Sequence, residues 1–132
     1  MNLEKIFKNL IVLYISYIVL MIFTVSYIDY DAILAESNTE TTTLEYSSIL
    51  VLVIYFINLY LLYKFKPIGK TLFIPVFFLV SFFDFFVSYE SFFLTPGYEH
   101  IGRLLTGIDY MLIGMIIALL YFTDIKDKFK ET

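Results

Sequence analysis

The sequence predicts an all-α integral membrane protein: an up-down-up-down four-transmembrane-helix bundle with cytoplasmic N and C termini. Three observations carry this expectation. The 132 residues are 60% hydrophobic and only 17% charged, with a mean hydropathy of +0.82, against about 45–50% apolar and about 25% charged in ordinary soluble domains. Four apolar runs, 10–28, 46–63, 71–89 and 104–122, are each long enough to cross about 30 Å of hydrocarbon as a helix. The basic residues also gather at the ends and in the central loop, all on one side of the expected bundle. Together the four spans leave too little chain for a separate soluble domain, so 1–132 reads as one transmembrane unit. The runs are continuous rather than alternating every second residue, which selects helices over a barrel.

The first run follows Lys5 and Lys8 and precedes Ala32 and Ala35, a pattern shared with secretory signals. Its length, and Asp29 and Asp31 standing before any cleavage site, favour a span instead. The segment 29–45 is rich in Thr and acids and reads as a solvated cap. Between the second and third runs, Pro67 and Gly69 favour a tight connection, so these helices should be antiparallel neighbours. Pro75 marks either the start of the third helix or a modest kink. In the last loop, Phe92, Phe93 and Tyr98 flank Pro96 and Gly97, which suggests a segment at headgroup level. Thr95 and Pro96 read as an N-cap and first helical position, so the fourth helix should begin before its apolar run. Within that run Gly114 and Ala118, with Gly107 one heptad earlier, would let backbones approach closely, within the bundle first and between copies second.

Every lysine falls on one side: Lys5 and Lys8, then Lys64, Lys66 and Lys70, then Lys126, Lys128 and Lys130. The other side has Arg103 against Asp29, Asp31, Glu36, Glu40, Glu45, Glu90 and Glu99. The positive-inside rule then places both termini in the cytoplasm. A Lys-rich, Arg-poor, Phe- and Tyr-heavy composition is compatible with a bacterial inner membrane.

Asp84 and Asp109 lie inside the third and fourth runs, where an Asp costs about 2.5–3.5 kcal/mol on insertion scales. Ser81, Asp84 and Ser88 fall within about 60° on a helical wheel and form a polar stripe expected to point inward. Counting about 1.5 Å per residue puts Asp84 about 8 Å and Asp109 about 9 Å below the outer boundary. The two carboxylates are therefore expected to share a level, with Thr106 and Tyr110 near Asp109. Tyr17 and Thr24 on the first span, and Ser48, Tyr55 and Asn58 on the second, complete an expected hydroxyl-lined interior. In one reading the acids are structural, hydrogen-bonded to these hydroxyls or paired with Arg103. In the other they bind a proton, a metal cation, an organic cation or a small amphiphile at an outward-facing cavity. His100 with Glu99 and Glu90 forms a weaker metal or proton-relay candidate.

Several functions are excluded. With no Cys there is no disulfide scaffold, thiolate metal site or thiol chemistry. A net charge of -4 with one Arg argues against nucleic acid. No nucleophile stands beside a plausible base, so no enzyme activity and no cofactor are expected. Small multidrug transporters need an acid in the first span, and 10–28 has none. The remaining expectation is an accessory or interaction subunit of the membrane, docking on a membrane protein or on its own copy. The alternative is proton- or cation-linked transport, or ligand binding, at the acidic pair.

Overall fold

The computed structural model describes residues 2–28, 43–91 and 99–130; within these, the side chains at 25, 43–46, 48, 83–91 and 99 lie outside the described set. Among the described residues the regular structure is entirely helical. It consists of α1 (Leu3–Ile28), α2 (Thr43–Tyr63), α3 (Pro67–Ser91), α4 (Glu99–Phe122) and a short 3₁₀ helix (Asp124–Phe129). Two segments, Leu3–Ile28 and His100–Phe122, are long and apolar enough to cross a membrane.

The helices overrun the apolar runs. α1 begins at Leu3 because Asn2 caps it, its Oδ1 accepting from the Lys5 N–H at 3.3 Å, and because Glu4 and Lys8 pair at 2.9 Å one turn apart. α4 is already helical at Glu99, ahead of its apolar run as expected; the proposed cap at Thr95 and Pro96 lies outside the described residues. Pro67 opens α3, and Pro75 lies inside that helix.

α2 and α3 form an antiparallel hairpin and pack along much of their length. Their connection is a Schellman-type stop. Phe65 is left-handed (φ 54), its N–H donates to Leu62 O at 2.9 Å, and the Lys66 N–H donates to Leu61 O at 2.9 Å. Gly usually fills this position because other residues lose roughly 1–2 kcal/mol there. Phe65 offsets that cost through its ring, which lies 5.6 Å from the Phe7 centroid and 5.2 Å from that of Phe129. Just beyond the turn, Gly69 lets α3 press onto Leu61 and Leu62. Its carbonyl accepts from Asn58 Nδ2 at 3.0 Å, a buried polar tie between the two helices.

α1 packs against α4 and α2. Phe7, Leu10, Ile11, Tyr14 and Ile18 form its buried stripe, spaced by three, one, three and four residues as one helical face requires. α4 answers with Leu112, Ile113, Ile116 and Leu120, α2 with Tyr55, Leu59 and Leu62, and α3 with Phe73 and Val76. Tyr121 on α4 donates to Lys70 O at 3.0 Å and joins the end of α4 to the start of α3. The 3₁₀ helix then turns back beneath the bundle. Thr123 Oγ1 caps it by accepting from the Ile125 N–H at 3.3 Å, and Ile125 and Phe129 are buried.

The outer surface is apolar. Leu20, Phe23, Ile49, Leu50, Phe78, Leu104, Met111 and Phe122 are all exposed, Phe23 at 69%. Ser16 and Thr24 on this surface donate back to Val12 O and Leu20 O, each at 2.9 Å, so their hydroxyls are satisfied without water.

Candidate functional site

The polar centre of the fold joins three helices. Tyr14 on α1 and Tyr55 on α2 face each other with hydroxyl oxygens 2.9 Å apart. Their rings meet edge to face at 84°, with centroids 6.2 Å apart. Tyr14 is 1% exposed and Tyr55 2%. Asp109 on α4, half-buried, lies near Tyr14. Either hydroxyl of the Tyr14–Tyr55 pair can be the donor, and the bond ties α1 to α2. Tyr17, one turn further along α1, donates its hydroxyl to Leu105 O on α4. The apolar sequence around Tyr14 builds this placement: it stands on the same stripe as Phe7, Leu10, Ile11 and Ile18.

The expected partners of Asp109 lie elsewhere. Asp109 itself is half-buried, whereas Thr106, Tyr110 and Arg103 are exposed on α4, Tyr110 at 62%. Arg103 makes no ion pair among the described residues. Ser81 is half-buried on α3. Asp84 and Ser88 are helical positions of α3 whose side chains lie outside the described residues, so the expected acidic pair falls there too. His100 is exposed at the start of α4, the Glu99 and Glu90 side chains lie outside the described residues, and no cluster of three metal-ligating side chains occurs among the described ones.

Of the other expected interior polar groups, Tyr55 and Asn58 are buried, and Asn58 Oδ1 has no donor among the described residues. Thr24 is satisfied on its own helix, and the Ser48 side chain lies outside the described residues. The small residues of α4 require a correction. Gly107, Gly114 and Ala118 are exposed, and a Cβ on either glycine would meet nothing within 4 Å. Among the described residues they mediate no helix packing, because α4 turns its larger aliphatic side chains inward.

Tyr14 was not among the residues singled out from sequence. Its signal was the hydrophobic stripe, which places one hydroxyl in register with the aliphatic core. Chemically, the Tyr14–Tyr55 bond and the Tyr17 bond to Leu105 O can lock the register of α1 against α2 and α4. Comparison with family models, with curated proteins and with solved structures gave no match.

Proposed function

We propose that the protein is a small multi-pass membrane protein with four spans and both termini cytoplasmic, serving as an accessory or interaction subunit of a bacterial inner membrane. The observation that carries the interaction role is the closure of the polar centre: Tyr14 and Tyr55 are buried and share a hydroxyl hydrogen bond in the core, and Tyr17 ties α1 to α4. Hydroxyls that bond across helices inside the core act as a register lock. The outward face of α4, with Gly107, Gly114 and Ala118 open to the surroundings, is then the surface on which a membrane partner or a second copy would dock. The membrane reading is supported by the apolar exterior and by lysines gathered at one end.

A second reading, binding of a proton, cation or small amphiphile, is favoured by the half-exposed position of Asp109. Thermal stability of the purified protein, measured against protons, metal cations and organic cations, separates the two. The interaction reading expects Asp109→Asn to lower stability with no cation effect in either form. A cation that stabilises the native chain but not Asp109→Asn would replace it with the binding reading, since a ligand at about 100 times its dissociation constant adds roughly 2.7 kcal/mol.

A further inference from the structure

Phe65, in the α2–α3 turn, is the one non-glycine among the described residues with a left-handed backbone (φ 54). Such a conformation persists only where its surroundings hold it. Here two rings from other segments do so: Phe7 of α1 at 5.6 Å and Phe129 of the 3₁₀ helix at 5.2 Å, themselves 6.0 Å apart. This aromatic triangle joins the turn to both ends of the fold's chain path. Lys70, at the start of α3, lies 6.0 Å from the Phe129 ring and 5.6 Å from that of Tyr121. α3 packs on α2 but has no extended packing on α4 among the described residues. Its hold on that side runs through single side chains, among them Tyr121 and Phe129.

We propose that the 3₁₀ helix is a conformational clamp: Phe129 locks Phe65 in its left-handed turn and so holds the α2–α3 hairpin to α1, and withdrawal of Phe129 unlocks the turn. The choice of residue at position 65 supports this. A glycine would close the same turn without help, whereas a phenylalanine makes the turn depend on the rings that dock against it. The clamp is also light. Its buried residues are Ile125 and Phe129, it follows an extended Thr123 (φ -121, ψ 172), and its ion pair to α1, Lys128 to Glu4 at 3.6 Å, is exposed and so contributes little. A short helix with few buried apolar groups belongs to the part of a fold that opens first. α1, which buries a five-residue stripe from Phe7 to Ile18, stays in place when the clamp opens. The clamp does not depend on how many helices cross a membrane.

The test is amide hydrogen exchange, resolved by NMR, on the full chain in detergent. It is read at the bonded amides of the clamp, Lys126 and Lys130, and of the turn, Phe65 and Lys66. In the native chain the turn amides should open with the clamp amides and well before those of Ile11 and Tyr14. Phe129→Ala should accelerate exchange at Phe65 and Lys66 about tenfold, while Ile11, Tyr14 and Ile116 keep their protection. Phe65→Ala should accelerate the clamp amides in return, because coupling is reciprocal. Ile116→Ala, a change in the core of α4, is the control and should lower protection without singling out the turn. Acceleration confined to the clamp in Phe129→Ala would make the 3₁₀ helix a passive tail, and equal acceleration at every amide would make it ordinary core; either result overturns the proposal. Should Phe129→Ala fail to fold, the native chain decides: turn amides as protected as Tyr14 beside freely exchanging clamp amides would overturn it as well.

Discussion

Gly69→Ala tests the closest helix contact in the fold. A Cβ added at Gly69 would lie 2.8 Å from Leu61 Cβ, 2.9 Å from the Leu61 carbonyl carbon and 2.9 Å from Leu62 N. Ordinary contact begins at 3.4 Å, so the shortfall is about half an ångström, and two of the three atoms are backbone. No rotamer change relieves such a clash; α2 and α3 must separate, loosening the Asn58 bond to Gly69 O as they do. Overpacking of this kind costs roughly 1–3 kcal/mol, while Ala in place of Gly in a helix returns up to about 1 kcal/mol. A net loss of about 1–2 kcal/mol is expected in thermal unfolding in detergent. Gly114→Ala is the internal control, because its Cβ meets open space; there the same substitution should be neutral or stabilising. Equal behaviour at the two sites would refute the close approach. A loss at Gly114 with none at Gly69 would mean that the outward face of α4, rather than the hairpin, is the crowded one.

Three further outcomes follow from the same geometry. Tyr14→Phe should cost roughly 1–2 kcal/mol by removing the buried hydroxyl bond to Tyr55. In a double-mutant cycle with Tyr55→Phe the two effects should be strongly non-additive, and additivity would separate the residues. Phe65→Gly relieves a left-handed backbone worth roughly 1–2 kcal/mol but removes two ring contacts, each worth about 0.5–1.5 kcal/mol, together with the burial of the ring; a net loss of stability is expected, and a gain would disprove the aromatic triangle. Lys130, with Lys126 and Lys70 behind it, holds the Asp127 carboxyl below the usual carboxylate range. Because the folded value is depressed, its contribution is present above the ordinary carboxylate pKa and is lost as pH falls through the depressed value. Wild type should therefore lose its small stability advantage over Asp127→Asn on acidification, and a constant difference between the two would contradict the bridge.

The positions of the four long helices were legible because uninterrupted apolar runs leave few alternatives, and Pro67 and Gly69 marked the α2–α3 turn. The helix starts were less legible, since polar residues such as Glu4 and Lys8 extend α1 by pairing one turn apart. The 3₁₀ helix escaped notice because Ile125 and Phe129, four residues apart among charges, are its only apolar anchors. The inward face of α4 was the hardest to read. Where both sides of a helix are apolar, hydrophobicity does not distinguish inside from outside, so the exposure of Thr106 and Tyr110 beside the half-buried Asp109 is not legible in the sequence. Small size misled in the same way: Gly107 and Gly114 suggested internal contact, yet the core of α4 is aliphatic.

The most direct test of the account is labelling of single cysteines in intact cells, which is clean because the chain has no Cys of its own. Asn38→Cys, Ile68→Cys and Gly97→Cys report the two loops expected outside and the turn expected inside. The account predicts that positions 38 and 97 react with an impermeant maleimide in intact cells, and that position 68 reacts only after permeabilisation. Labelling of all three from outside would mean that α1 and α4 alone cross the membrane, contradicting the four-span bundle.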